Sequence, residues 1–148
     1  MARPCLSRPL EILLVEDNPS DARLIAKAFE GVSQPCNIRI ISDGELAIAF
    51  LYQIGSVESF LPPDLILLDL HLPKKGGIEV LQEIKSSPQL AAIPVIMLTA
   101  SSSQHDIDKC YQQEANCYLL KPHNLQELNR TMQILQDFWL KMVKLPLV

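Results

Sequence analysis

Five side chains able to bind a metal ion or to move a phosphoryl group lie at the ends of short apolar runs: Glu16, Asp17, Asp69, Thr99 and Lys121. Two carboxylates about 4 Å apart repel by roughly 4 kcal/mol at an effective dielectric of about 20, so three in one cleft need a cation. Carboxylates, a carbonyl oxygen and waters suit Mg²⁺. Beside such an ion, one carboxylate can attack phosphorus while the ammonium and hydroxyl groups stabilise the phosphoryl oxygens.

The elements that carry these side chains follow a repeating pattern. Short apolar runs alternate five times with segments of helical periodicity, which predicts an α/β fold. The runs are continuous rather than alternating, so we expect strands buried on both faces of a parallel sheet. The predicted strands are 10–15, 37–41, 65–68, 94–98 and 117–120.

The strand order decides whether the five side chains meet. In a doubly wound sheet of order 2-1-3-4-5, the first and third strands are neighbours and the fourth and fifth lie beyond the third. Ligands of such sheets bind outside the carboxyl ends of the strands. That order therefore predicts one cleft containing all five side chains.

Length and composition indicate one domain and exclude several classes. The chain has 148 residues, 48% of them hydrophobic, and a formal net charge of −4. This composition excludes disordered and fibrous proteins, and the scattered basic residues argue against a nucleic-acid partner. We expect a tail over residues 1–9 and a single domain over 10–148, with a helical extension from about 138 to 148.

Compartment signals favour the cytoplasm. No apolar stretch reaches the roughly 20 residues that a membrane-spanning helix needs, and no secretory signal opens the sequence. The four cysteines include no C-x-x-C pair and no zinc-ligand spacing, so we expect reduced thiols in a reducing compartment.

The strand-end motifs resemble one known family. Taken together they are similar to the receiver domain of two-component response regulators over roughly residues 11–142, which implies a flavodoxin/CheY-like fold. The matching motifs are Glu16-Asp17-Asn18, Leu67-Leu68-Asp69-Leu70, Leu72-Pro73, Gly77, Thr99-Ala100 and Lys121-Pro122.

The resemblance implies a role for each residue of the cleft. Asp69 would accept a phosphoryl group from the phosphohistidine of a histidine kinase. Asp17 would bind Mg²⁺ directly, Glu16 mainly through water or as an acidic neighbour, and His71 through its backbone carbonyl. In the phosphorylated protein, Thr99 would donate a hydrogen bond to a phosphoryl oxygen and Lys121 would form an ion pair with it. The chain would then be a self-phosphorylating acceptor rather than a conventional enzyme.

Two further features are implied by the same resemblance. Tyr118, three residues before Lys121, matches the family's aromatic switch, which turns inward when Thr99 moves toward the phosphoryl group. The family also implies a cis peptide bond before Pro122, which would direct Lys121 into the cleft.

The last helix has more apolar surface than one buried face requires. We expect no output domain after it, and hence signalling through protein–protein contact. Its seam of 3-4-3-4-3 spacing comprises Leu125, Leu128, Met132, Leu135, Trp139 and Met142. We predict a homodimer through this helix, using Ile134, Phe138, Trp139 and Leu145; the alternative is a wider core face with some exposed apolar side chains.

Several segments resemble a narrower group, the small stand-alone cyanobacterial regulators that pair with phytochrome histidine kinases. This resemblance implies a phytochrome as the kinase partner. The matching segments are Asp106-Ile107, Cys110-Tyr111, Ala115-Asn116-Cys117-Tyr118, Phe138-Trp139-Leu140 and Val143-Lys144-Leu145-Pro146.

Other functions fit the sequence less well. A phosphatase of the haloacid-dehalogenase type needs a second Asp two residues after the nucleophile, where this chain has His71. Neither G-x-G-x-x-G nor G-x-x-x-x-G-K-[ST] occurs, which disfavours a nucleotide-binding module. Two alternatives stay open: a diffusible receiver in a non-phytochrome phosphorelay, and a constitutively dimeric interaction module with a receiver fold.

Overall fold

The structure is a computed structural model that describes residues 8–30, 35–53, 60–142 and 144–146, with only the backbone at 140–142. Most of the expected tail 1–9, and residues 143, 147 and 148 of the expected extension, lie outside the described residues. No helix in the described ranges is both long and apolar enough to cross a membrane.

Five parallel strands form one sheet in the order β2-β1-β3-β4-β5, as predicted. Helices follow the strands in alternation, and a π-helical segment, Asp137–Met142, continues the last one. The strands are β1 Leu10–Val15, β2 Cys36–Ile41, β3 Leu65–Leu68, β4 Val95–Thr99 and β5 Cys117–Leu120. The helices are α1 Pro19–Ala28, α2 Gly44–Leu51, α3 Gly77–Ser86, α4 Gln104–Gln112 and α5 Leu125–Gln136.

Alternate side chains of the central strands feed two separate cores. On one face, Leu13, Ile66 and Met97 belong to a cluster that also contains residues of α2, α3 and α4. On the other face, Leu14 and Leu67 pack with residues of α1 and α5. All residues of β3 and β4 are buried, as expected of strands covered on both faces.

The expectation of burial on both faces is wrong for the two outer strands. β2 alternates between half-buried and exposed positions, and β5 is half-buried to exposed along its length. Each lies at an edge of the sheet, and among the described strands it has a hydrogen-bonded neighbour on one side only. The apolar run of β5 therefore does not require a central strand, and in β2 the polar residues Asn37 and Arg39 interrupt the apolar run.

Side-chain caps mark where four helices begin. They therefore fix how the chain leaves the carboxyl end of the preceding strand. The side chains of Asn18, Asp43, Ser103 and Asn124 each accept a hydrogen bond from the backbone N–H three residues later. Such a cap stabilises a helix start by about 1 kcal/mol.

The start of α3 lies directly against the backbone of β3's carboxyl end. A Cβ at Gly77 would overlap the carbonyl oxygen of Asp69, and the Gly77 N–H donates to the carbonyl of Leu70 at 2.8 Å. Only a residue without a side chain allows this approach.

Gly77→Ala is expected to lower the free energy of unfolding by about 1–3 kcal/mol, because the added methyl group must push backbone aside. Urea unfolding followed by circular dichroism measures it. The neighbouring Gly76→Ala is the matched control, since its Cβ would meet only the Leu70 carbonyl oxygen at 3.9 Å, an ordinary contact. Equal stability of the two variants would contradict the close approach.

Candidate functional site

Pairing of β1 with β3 brings the three predicted acidic residues together. Val15 and Leu68 are register partners, and the Asp69 N–H donates to the Val15 carbonyl at 3.0 Å. Each of Glu16, Asp17 and Asp69 offers a carboxylate oxygen, and these oxygens lie within 4.8 Å of one another. Glu16 and Asp69 are buried, whereas Asp17 is exposed.

Pairing of β4 with β5 places the Lys121 ammonium and the Thr99 hydroxyl at the same edge of the sheet. The Lys121 N–H donates to the Thr99 carbonyl at 2.7 Å, and the buried Thr99 ends β4. The Lys121 ammonium donates to Asp69 Oδ2 at 2.9 Å and forms an ion pair with Glu16. All five strand-end residues therefore occupy one cleft.

The cleft shifts the pKa values of its two buried carboxyl groups in opposite directions. Burial, together with the hydrogen bond to Asp69, raises the pKa of Glu16 to about 7 despite the opposing effect of Lys121. Burial alone would also raise the pKa of Asp69, but hydrogen bonds from Glu16, Lys121 and Thr99 hold it below its usual value. Asp69 is therefore the carboxylate that keeps its negative charge.

The donor set fits a divalent cation. Three carboxylates converge, and burial together with the neighbouring Asp69 raises the pKa of one of them, Glu16, to about 7. Hard oxygen ligands of this kind favour Mg²⁺, Mn²⁺ or Ca²⁺ over soft metals. His71 is exposed, and its proposed carbonyl ligand stays a prediction.

A hydrogen-bonded chain leads from Thr99 to Tyr118 through Ser101. The Ser101 N–H donates to Thr99 Oγ1 at 3.4 Å, and the Tyr118 hydroxyl donates to the Ser101 carbonyl at 2.8 Å. The Ser101 hydroxyl donates to Asp106 Oδ2 at 2.5 Å, which ties the loop to α4. Tyr118 thus lies where a switch would be, although the switch role stays a prediction.

Three sequence predictions need separate comment. The expected cis bond before Pro122 is wrong for this structure, because no peptide bond among the described residues is cis and Lys121 reaches Asp69 from a trans bond. Leu125, expected in the buried seam, is 53% exposed and is the first residue of α5. Of the predicted dimer residues, Ile134 and Phe138 are exposed, whereas Trp139 and Leu145 pack against the chain's own core.

Sequence reasoning missed one residue of the cleft. Asp21, in the first turn of α1, lies 3.2 Å from the Lys121 ammonium. Its signal in the sequence was its position three residues after the cap Asn18, at the helix end that faces the strand termini.

Comparison with known proteins agrees with this geometry. Residues 12–133 match the family model of the response regulator receiver domain. The chain belongs to the response regulator receiver family. Membership implies a histidine kinase as partner and a divalent cation in the active-site cleft.

Three relatives place the chain more narrowly. Response regulator Rcp1 of Synechocystis sp. is 46% identical over 138 residues, covering 93% of this chain and 94% of Rcp1. The Mn²⁺-bound structure of Rcp1 matches with 45% identity and a TM-score of 0.88, covering 94% of this chain and all of that one.

The phosphorylated cyanobacterial phytochrome response regulator RcpA matches with 44% identity and a TM-score of 0.89, covering 95% of this chain and 100% of that one. The receiver domain of histidine kinase PA1611 from Pseudomonas aeruginosa, solved with magnesium in its active-site cleft, matches at 31% identity with a TM-score of 0.68, covering 86% and 97% of the two chains.

The raised pKa of Glu16 predicts an unusual pH dependence of stability in metal-free protein. Between pH 4.5 and about 7 the unfolded chain has released this proton while the folded chain retains it. The free energy of unfolding therefore falls as the pH rises through this window, by up to about 3 kcal/mol, and is level above it. Urea unfolding in EDTA from pH 4 to 8 measures this slope.

Glu16→Gln removes the titrating group, so its free energy of unfolding should lack this component of the slope. Glu45→Gln, which neutralises an exposed carboxylate in the first turn of α2, should retain it. Parallel pH profiles of the wild type and Glu16→Gln would show that the Glu16 carboxyl is not perturbed.

Proposed function

We propose that Asp69 is the phosphoacceptor of this receiver domain and that Mg²⁺ is its metal ion. The observation that carries the proposal is the setting of the Asp69 carboxylate at the end of central strand β3. Its Oδ1 accepts from the Leu70 N–H at 2.7 Å and its Oδ2 from Lys121 at 2.9 Å, within reach of the Glu16 and Asp17 oxygens. Neither of the other two carboxylates combines burial with a held negative charge.

Glu16, Asp17 and Asp69 would hold the metal ion, with the carbonyl of His71 as a fourth protein ligand. When bound, Mg²⁺ would neutralise the charge of the carboxylates and of the incoming phosphoryl oxygens. The related PA1611 receiver, with magnesium in its cleft, supports this choice of ion, and the Mn²⁺-bound Rcp1 supports a divalent site.

The side chains divide the work of phosphoryl transfer. An oxygen of Asp69 forms the new bond to phosphorus while the bond from phosphorus to the kinase histidine nitrogen breaks, and its electron pair stays on the imidazole. Lys121, already next to Asp69, pairs with a phosphoryl oxygen, and the Thr99 hydroxyl donates to another. Thr99 then moves, and Tyr118 changes position with it because both residues are hydrogen-bonded to Ser101.

A phytochrome is the proposed kinase partner. The support is the similarity to RcpA, which is a phytochrome response regulator, over nearly the whole of both chains. We place the reaction in the cytoplasm, where reducing conditions keep thiols such as Cys110 and Cys117 reduced. Protein partners rather than nucleic acid or membrane fit the net charge of −4.

Incubation with Mg²⁺ and acetyl phosphate should add one phosphoryl group to the wild type, as measured by intact mass. Asp69→Asn and an EDTA sample should gain none, because the first lacks the nucleophile and the second lacks the cation. Asp108→Asn, which changes an exposed aspartate of α4, is the matched control and should be phosphorylated normally.

A second arm replaces acetyl phosphate with autophosphorylated kinase, either a cyanobacterial phytochrome or an unrelated histidine kinase. Transfer from the phytochrome at least tenfold faster than from the other kinase supports the proposed pairing, and equal rates favour another phosphorelay. Absence of any phosphorylation in the wild type would leave the constitutive interaction module as the better interpretation.

We further propose a homodimer through α5. Ile134 in α5 and Phe138 in the π-helical segment that continues it are 61% and 50% exposed and lie four residues apart. They border an apolar groove of about 370 Å³ between α5 and the edge strand β5, lined also by Cys117, Leu119 and Trp139. A second copy presenting the same two side chains would cover this groove, as a two-fold interface requires.

The double variant Ile134→Ser/Phe138→Ser should weaken dimerisation at least tenfold, because exposed aromatic and aliphatic anchors dominate such contacts. Light scattering after size-exclusion chromatography, with and without phosphorylation, gives the mass. Leu46→Ser, at a similarly exposed site on α2 on the other side of the sheet, is the control and should leave the mass unchanged. A monomeric wild type under both conditions would exclude the proposal.

A further inference from the structure

The ammonium of Lys121 is shared among three carboxylates from three elements. It donates to Asp69 after β3 at 2.9 Å and to Asp21 in α1 at 3.2 Å, and it also pairs with Glu16 after β1. Glu16 and Asp69 belong to the acidic group suited to the metal ion, whereas Asp21 does not. Asp21 is thus a partner of the lysine that does not compete for the cation.

The position of Asp21 is set by the start of α1. Its backbone N–H donates to the capping side chain of Asn18 at 3.0 Å, and a negative charge in the first turn is favoured by the helix dipole. The Lys121 side chain is only 11% exposed, while that of Asp21 is 38% exposed. The helix therefore holds a partly solvated carboxylate next to a mostly buried ammonium.

Packing does not fix the ammonium on this side. A cavity of about 230 Å³ opens beside it, lined by Asp21, Ala100, Lys121, Pro122 and His123 among others. With open space next to Lys121, the balance of attraction among its carboxylate partners decides where the Nζ atom lies. A change in one partner should therefore shift it toward the others.

We propose that Asp21 is a positioning residue that draws Lys121 toward α1 and so keeps the Glu16 and Asp69 oxygens accessible to the divalent cation. This inference rests on the proposed metal site. Loss of the Asp21 charge has two effects of the same sign on cation binding. Lys121 pairs more closely with Glu16 and Asp69, where it competes with the cation, and the cleft loses one negative charge.

Titration with Mn²⁺ alone tests the proposal, with the electron paramagnetic resonance signal of the free ion as the measure of binding. Asp21→Asn should weaken Mn²⁺ binding about three- to fivefold, the range expected for one partly exposed ion pair. Asp21→Glu keeps the charge and should restore most of the affinity. Glu45→Gln makes the same charge change in the first turn of α2 and should leave the affinity within about twofold.

The variant Lys121→Met separates positioning from a simple field effect. If Asp21 acts mainly through the lysine, adding Asp21→Asn to Lys121→Met should weaken Mn²⁺ binding by less than about twofold, because only the loss of one negative charge from the cleft remains. The same three- to fivefold loss in both backgrounds would overturn the positioning role, and so would wild-type affinity in Asp21→Asn alone.

An Asp69→Asn sample distinguishes failure of this inference from failure of the proposed function. If the wild type binds Mn²⁺ no better than Asp69→Asn, the proposed metal site is wrong and the role of Asp21 falls with it. If Asp69→Asn binds more weakly than the wild type but Asp21→Asn does not, only the positioning role is wrong.

Discussion

The charge balance around the Lys121 ammonium is the constraint on which the rest of the structure depends. The cleft contains two carboxyls that are almost completely buried, and without a counter-charge each would lose several kcal/mol of hydration on folding. One ammonium cannot satisfy both equally. The pKa of Glu16 is raised, so Glu16 keeps its proton to higher pH, whereas the pKa of Asp69 is lowered and Asp69 stays ionised. The same imbalance makes the site receptive to a divalent cation, which would release the Glu16 proton as it binds.

The sheet holds these charges in place because its central strands are buried on both faces. β1, β3 and β4 end at the cleft, and their side chains pack into the two cores at full burial almost throughout. Because the strand ends are fixed in this way, the carboxylates cannot move apart to reduce their repulsion. The repulsion therefore contributes to the raised pKa of Glu16 and would favour binding of a divalent cation. The outer strands are less buried. The residue just after β5 is Lys121, whose long side chain can adjust its position.

Much of the architecture could be predicted because it depends on local signals. The bounds of β1, β3 and β5 and the caps at Asn18 and Asn124 follow from apolar runs and capping residues. The strand-end residues of the cleft were predictable for a related reason, since parallel order brings every carboxyl end to one edge. The partial exposure of β2 and β5 was missed, although the predicted order already placed both strands at the edges of the sheet and Asn37 and Arg39 interrupt the apolar run of β2. The contact of Asp21 with Lys121, 100 residues apart, likewise depends on how α1 packs against the sheet.

The route from the cleft to the outer surface is short and is made of hydrogen bonds rather than packing. Ser101 contacts Thr99 through its N–H, Tyr118 through its carbonyl and Asp106 through its hydroxyl. A movement of Thr99 would therefore act on a residue that also anchors the start of α4 and the Tyr118 hydroxyl. The Tyr118 side chain packs against the core that contains residues of α3 and α4, whereas Ile134 and Phe138 lie beside the other core, on the opposite face of the sheet. The hydrogen bonds therefore lead from the cleft toward the side of the sheet that carries α4, and an effect on the proposed dimer surface would have to pass through the backbone of β5, to which Cys117 and Leu119 of the groove belong.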